Sequence, residues 1–320
     1  MSKKTLLVTR PLPQSVLDAC ADAFDATFRD ADRGLTEAEA AQALGDYDAI
    51  LCTLGDRFTA RAFEQAGEIR CDMLANFGVG YNHIDAKAAR TAGVAVSNTP
   101  DAVTDATADI GMTLLLAAAR RAGEGERLVR AGKWSGWAPT QMLGAHVTGK
   151  TVGIVGMGRI GQAVATRCAL GFNMQVLFHN RSSKSVPLPA LQVGDLEELM
   201  SSSDFIIVTV PATPETRHMI SAEMIAAMKP GAILVNIARG DVVDEQALIE
   251  ALRERRIGGA GLDVYENEPE VPQSLRELEN VVLLPHLGTA ALEVREAMGR
   301  MALDNAIAWV GGETPPQLVN

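Results

Sequence analysis

Residues 151–161 read TVGIVGMGRIG, and no other stretch restricts the fold of this chain as strongly. A β-branched apolar run at 152–155 passes without a break into Gly156-x-Gly158-x-x-Gly161 and then into a helix-like segment at 162–170. Strand, tight turn and helix in that order give the three glycines separate physical jobs. Gly156 permits the turn, Gly158 lets backbone approach a pyrophosphate, and Gly161 allows close helix–strand packing, with helix N–H groups and dipole facing the anion. The stretch predicts a dinucleotide-binding βαβ unit.

The motif sits at the midpoint of 320 residues, so something folded must precede it, and two domains are expected. β-like runs at 5–9, 49–53, 73–77 and 94–97 alternate with helical spacing at 15–24, 37–44, 61–66 and 85–92, which predicts a parallel sheet covered by helices. Asn98-Thr99-Pro100-Asp101 punctuates the end of this block and marks a first crossing between domains. Residues 106–130 read as one long helix, apolar nearly all round through Ile110, Met112 and Leu114 to Leu116, hence buried inside a domain or against another subunit. From 151 onward, runs at 152–155, 174–178, 205–210, 232–236, 259–264 and 281–284 supply the six strands of a doubly wound domain. A last amphipathic helix at 289–310 follows Pro285-His286-Leu287-Gly288. A second crossing near 287 would return it to the first domain. The expected fold is α/β with two doubly wound parallel sheets: 101–287 binds the dinucleotide, inserted into a substrate domain of 1–100 and 288–320, with two hinges flanking a cleft.

A formal net charge of -11 argues against a nucleic-acid partner, which needs a basic surface. Cys20, Cys52, Cys71 and Cys168 are scattered, with no CxxC pair and no zinc spacing, so no metal is expected and they read as buried small hydrophobes in a reducing compartment. The opening MSKKTLLVTRPLP has too short an apolar run for a signal peptide, and no stretch is long enough to span a membrane. A cytoplasmic protein is expected.

Ligands in open α/β sheets bind beyond the carboxyl ends of the strands, and each chemically capable residue falls at such an end. Arg239 follows the 232–236 run, where a guanidinium fork can grip a carboxylate at two points. Glu268 follows the 259–264 run, and His286, between Pro285 and Leu287-Gly288, follows 281–284. An imidazolium can give up its proton to negative charge on a ligand oxygen, and Glu268 close to His286 would favour the charged ring.

These three motifs and the midchain GMGRIG closely resemble the D-2-hydroxyacid dehydrogenase family over essentially the whole chain. The 78–85 loop GVGYNHID, the helix start TDATAD at 104–109 and Val210-Pro211 match as well. The resemblance implies a Rossmann domain inserted into a flavodoxin-like substrate domain. It gives Arg239 the substrate carboxylate and C2 carbonyl, His286 the acid/base role and Glu268 the pairing role. Backbone N–H groups of Val79 and Gly80 are implied to hold the carboxylate. Further cofactor contacts are implied at Thr104, Gly156, Gly158, Arg159, Ile160, Gly161, Val210, Pro211, Thr216, Ile237, Ala238, Asp263, His286 and Gly288. His83, in the same loop as Val79, reads as structural.

NAD enzymes place an acidic residue about 20 residues beyond the glycines, on the ribose 2′-hydroxyl. Here that position is Asn180, followed by Arg181, Ser182 and Lys184, which supply neutral or positive donors suited to a 2′-phosphate. NADPH is the expected cofactor, with NADH still possible. The loop 51–57 offers little positive charge beyond Arg57, against a phosphorylated substrate. That loop and Trp134-Ser135-Gly136-Trp137 look most like the glyoxylate/hydroxypyruvate reductase branch, in which the second tryptophan shields the neighbouring site of a homodimer; Trp137 would have that role. A broader NAD(P)-dependent 2-keto-acid reductase acting on phenylpyruvate or 2-ketogluconate is the alternative within enzymes, and a nucleotide-sensing corepressor-like protein the alternative outside them.

Overall fold

A computed structural model describes residues 3–320. The chain divides into two compact units, one of the described residues up to Val103 together with Thr289–Asn320, the other Thr104–Gly288.

In the first unit, β1 (Thr5–Val8), β2 (Asp25–Phe28), β3 (Ala49–Thr53), β4 (Met73–Phe77) and β5 (Ala95–Ser97) form one parallel sheet in the order β2-β1-β3-β4-β5. The central strands β3 and β4 are buried at every position, and AILCT and MLANF accordingly lack polar alternation. Asn76 on β4 is a wholly buried exception. The helix Leu292–Val310 packs against the helix Gln14–Ala23 at Gly299, where a Cβ would lie 2.6 Å from Val16 Cγ2. The four strands expected here are joined by a fifth, β2. Its Asp25-Ala-Thr-Phe28 lies largely exposed at the sheet edge and never needed the apolar run that marks the others. The opposite edge, β5, is covered by residues 317–320. Val319 N–H donates to Val96 O at 2.7 Å and Asn320 Oδ1 accepts the Val96 N–H at 2.8 Å. Asn320 Nδ2 donates to Val94 O at 3.0 Å and Ala86 O at 3.2 Å.

The second unit holds β6 (Thr151–Val155), β7 (Gln175–His179), β8 (Ala190–Gln192), β9 (Phe205–Val208), β10 (Ile233–Asn236), β11 (Gly259–Leu262) and β12 (Val281–Leu283), all parallel, in the order β12-β11-β10-β9-β6-β7-β8. The chain enters at β6, winds out to β8, then crosses to β9 on the other side of β6. The strand order reverses between β6 and β9, where the first βα turn opens. Seven strands replace the expected six because β8 is a three-residue edge strand, too short and too exposed to show a pattern.

The single helix expected at 106–130 is two, Thr104–Ala119 and Ala122–Arg130, with Arg121 at φ +53 between them. Ala145 N–H takes the Ala119 carbonyl at 2.8 Å, so the helix ends there. Gly123 and Gly125 then weaken any drive to continue straight. The first helix buries Thr107, Ala108, Gly111, Met112, Leu114, Leu115 and Ala119; the second buries nothing. Among the described residues no helix is long and apolar enough to cross a membrane. All four cysteines are buried thiols, and burial pushes Cys71 and Cys168 up to about 12, which removes the nucleophilic thiolate.

Candidate active site

The three glycines of the turn after β6 meet different surroundings. Gly156 has φ +97, and a Cβ there would lie 2.7 Å from Val210 Cγ1. At Gly161 a Cβ would fall 2.1 Å from Gly156 O, so the helix Arg159–Thr166 could not seat against the turn. At Gly158 a Cβ would meet no heavy atom within 4 Å. Two glycines are thus required by the protein's own packing, and Gly158 keeps open the space over the helix start. Gly158 caps that helix without a side-chain hydrogen bond. An open approach and a helix N-terminus with no side-chain cap fit a pyrophosphate.

Asn180, just beyond β7, is joined to this turn. Its Oδ1 accepts the Met157 N–H at 3.2 Å, and its Nδ2 donates to Ser182 O at 2.9 Å and Ser182 Oγ at 3.3 Å. Gln192 Nε2 on β8 donates to Asn180 O and Ser182 O, so the loop between β7 and β8 is braced from both sides. Asn180 is therefore occupied in shaping the loop, while Arg181 and Lys184 are exposed and Ser182 keeps its own hydroxyl proton to donate.

The carboxyl ends of β9, β10, β11 and β12 carry the remaining candidates along one sheet edge. His286 has φ +54, rare for a residue with a Cβ, and is held there by its neighbours. Its N–H donates to Asp263 O at 3.0 Å, while the Asp263 carboxylate accepts the N–H groups of Leu287 at 2.6 Å and Gly288 at 2.8 Å. Asp263 is 2% exposed, and burial first, then the charge of Glu268, carries its carboxyl above the ordinary value against the pull of those donors and of His286. His286 Nδ1 lies 2.9 Å from Glu268 Oε2, and Tyr265 N–H donates to Glu268 Oε1 at 3.1 Å. Burial alone would raise the Glu268 carboxyl, but the His286 bond and charge, Tyr265 N–H and Arg239 together hold it below its ordinary value. The Tyr265 hydroxyl donates to Leu284 O at 2.9 Å and ties the loop after β11 to the end of β12.

Arg239 follows β10. Asn236 shapes its turn, with Nδ2 donating to Arg239 O at 2.9 Å and Oδ1 accepting the Ala238 N–H at 3.0 Å. A Cβ on Gly240 would lie 1.8 Å from the Tyr265 carbonyl carbon, so the loops after β10 and β11 meet backbone to backbone. Among the described residues no carboxylate forms an ion pair with Arg239, whose Nη1 donates to Ala238 O at 2.7 Å. Burial pulls its guanidinium below the usual range, partly countered by Glu268 and Asp241. A cation without an ionic partner beside a carboxylate–imidazole pair can bind a carboxylate while the imidazole moves a proton.

The structure brings Gly156, Gly158, Arg159, Ile160, Gly161, Asn180, Val210, Pro211, Ile237, Ala238, Arg239, Asp263, Glu268, His286 and Gly288 to the carboxyl ends of one sheet. Thr216 Oγ1 donates to Pro211 O at 2.8 Å and closes the loop after β9. Thr104 begins the helix Thr104–Ala119, and Thr107 Oγ1 donates to Gly288 O at 3.2 Å. Val79 and Gly80 belong to the other unit, in the loop after β4; there the His83 carbonyl accepts the Phe58 N–H at 3.0 Å, a fold-holding contact. Trp137 is 81% exposed, in an irregular segment. Sequence reasoning missed Tyr265, whose hydrogen bonds are tertiary, and a cluster beside it in which Glu266 Oε1 meets Arg217 Nη2 at 3.1 Å and His218 Nε2 at 3.0 Å. Among the described residues no group of three or more His, Cys, Asp or Glu is arranged to hold a metal.

Residues 112–288 match the family model for the D-isomer specific 2-hydroxyacid dehydrogenase, NAD binding domain. The chain is 45% identical over 324 residues to a glyoxylate reductase of Pyrococcus furiosus, covering 99% of this chain and 96% of that one. It is 38% identical over 317 residues to a glycerate dehydrogenase of Hyphomicrobium methylovorum, covering 98% of each. Among solved structures, the NADPH-dependent glyoxylate/hydroxypyruvate reductase of Sinorhizobium meliloti, in complex with NADP and malonate, is similar with a TM-score of 0.88 at 33% identity, over 99% of this chain and 97% of that one.

Proposed function

Because the chain belongs to the D-isomer-specific 2-hydroxyacid dehydrogenase family and is an NAD(P)-binding oxidoreductase, we propose that it reduces glyoxylate or hydroxypyruvate to the 2-hydroxy acid, with NADPH as cofactor and His286 as proton donor. One observation carries the chemistry: the His286–Glu268 pair at 2.9 Å, on the same sheet edge as an Arg239 that has no ionic partner among the described residues. The names of the relatives from Pyrococcus furiosus and Sinorhizobium meliloti support the choice of acid.

Held at the glycine turn, NADPH would supply the hydride. Arg239 binds the substrate carboxylate and draws electron density from the C2 carbonyl. Glu268 takes His286 Nδ1, which fixes the ring and leaves Nε2 as the nitrogen that gives its proton to the carbonyl oxygen. Glu268 is ionised at neutral pH because its carboxyl lies below the ordinary range, which sets a negative charge beside the imidazole.

The cofactor preference is supported by the loop between β7 and β8. With no acidic side chain from 180 to 184, nothing there repels a 2′-phosphate, and Arg181 with the Ser182 hydroxyl offers a cation and a donor. Trp137 suits a homodimer of cytoplasmic enzyme in which this exposed ring covers the neighbouring subunit's substrate.

The test is oxidation of NADPH and NADH against glyoxylate, hydroxypyruvate, pyruvate and phenylpyruvate. Highest kcat/KM for the first two acids with NADPH is expected. A preference for NADH overturns the cofactor assignment, a preference for phenylpyruvate moves the substrate to larger acids, and absence of turnover with all four removes the proposal.

A further inference from the structure

Two asparagines tie down three consecutive carbonyls in the loop after β4. Asn76, within β4, donates from Nδ2 to Gly78 O at 2.9 Å and to Gly80 O at 3.1 Å. Asn98, just beyond β5, donates from Nδ2 to Val79 O at 3.0 Å, and Thr99 N–H adds a second bond to Gly78 O at 3.0 Å. In a planar trans peptide the C=O and N–H point in opposite directions. Fixing Gly78 O therefore fixes the direction of the Val79 N–H, and fixing Val79 O fixes that of the Gly80 N–H. Among the described residues neither of these N–H groups has an acceptor.

Asn76 also bears a cost that a residue of purely structural value would avoid. Its Oδ1 is buried with no hydrogen-bond partner. An amide kept at 0% exposure with its acceptor unused is there for its two donors. Aspartate has similar shape but would present an oxygen to two carbonyls, and leucine would release both.

We propose that Asn76 and Asn98 are positioning residues: by holding the carbonyls of Gly78, Val79 and Gly80 they orient the N–H groups of Val79 and Gly80 into a nest for one carboxylate, that of the 2-keto acid. This rests on the reading of the protein as a 2-keto-acid reductase. The asparagines touch no reacting atom and act only through the backbone they orient. Substrate affinity should depend on them while cofactor affinity does not.

The experiment compares full-length N76A, N98A and N98Q with the wild type. It measures kcat and KM for glyoxylate, Ki for oxamate as an unreactive carboxylate probe, and NADPH affinity by fluorescence titration. KM for glyoxylate and Ki for oxamate are expected to rise together by about tenfold or more in N76A and N98A, the loss of one hydrogen bond to a charged group. The kcat should stay within about threefold, the NADPH affinity should not change, and N98Q should recover part of the loss. If N76A does not fold, the half-buried Asn98 decides alone. A folded N98A with wild-type KM and Ki overturns the proposal, as does a proportional loss of kcat and NADPH affinity, which would mark general distortion. A wild type that turns over neither glyoxylate nor hydroxypyruvate overturns the reductase reading and this inference with it; an active wild type with unaffected variants overturns the asparagine assignment alone.

Discussion

Nδ1 of His286 lies 2.9 Å from Oε2 of Glu268, while the other oxygen of that carboxylate accepts the Tyr265 N–H at 3.1 Å. The glutamate is thus gripped by backbone on one side and offers its remaining oxygen to the imidazole. In E268Q the shape survives but the negative charge beside the imidazole is gone. The kcat for glyoxylate reduction is expected to fall about 10- to 100-fold while KM changes little. Steady-state kinetics near neutral pH provide the check, and a wild-type kcat would remove Glu268 from proton transfer.

Asp263 gives a pH signature of the opposite sign to that of a salt-bridged carboxylate. Its folded-state value is raised, chiefly by burial, from 3.8, so the folded protein retains this proton to higher pH than the unfolded chain. Ionising it costs stability, and the cost sets in as the pH rises from the unfolded value through the folded one. D263N should lack that loss, its melting temperature declining less than that of the wild type as the pH rises above the ordinary carboxyl value of 3.8. Its kcat should nevertheless fall about tenfold, because one amide oxygen replaces two carboxylate oxygens beneath the Leu287 and Gly288 N–H groups that fix the His286 backbone. Parallel melting profiles for the two proteins would contradict the account.

Arg181 and Asn180 separate two ways of preferring a cofactor. Arg181 is exposed, whereas Asn180 is bonded to Met157 and Ser182. R181A is expected to raise KM for NADPH about tenfold and leave KM for NADH unchanged, as for loss of one phosphate contact. Equal effects on both cofactors would show that the arginine shapes the loop and does not read the phosphate.

Trp137 is 81% exposed, so W137A should melt with the wild type. The expected change is confined to activity: a KM for hydroxypyruvate raised about tenfold, the effect of removing one aromatic wall from a bound substrate. Unchanged kinetics would leave the ring without a role at the substrate.

What the chain disclosed before folding follows from where each constraint lies. The places of Gly156, Arg239, Glu268 and His286 beyond strand ends could be read because each follows a strand whose apolar run is visible locally. The strands β2 and β8 left no such mark, since an edge strand half in water needs little hydrophobic patterning. The break at Arg121 depends on Ala145 reaching back to Ala119 O, a contact no window around residue 121 contains. For the same reason the bracing roles of Asn76, Asn180, Asp263 and Tyr265 emerge only when distant backbone groups converge on them. Asn76 alone carried a local hint, a polar residue inside the otherwise apolar MLANF.

The bonds from Val319 and Asn320 to β5 bear on how copies of this protein avoid one another. An open strand edge is a template onto which a second chain can add, and here the tail occupies that place with main-chain and side-chain bonds of its own. Among the described residues the sheet of the first unit is left with one free edge, β2. That strand is only four residues long and begins with Asp25, a poor template for continued pairing. The unit therefore resists growth into edge-to-edge assemblies from both sides, by occupancy at β5 and by shortness and charge at β2.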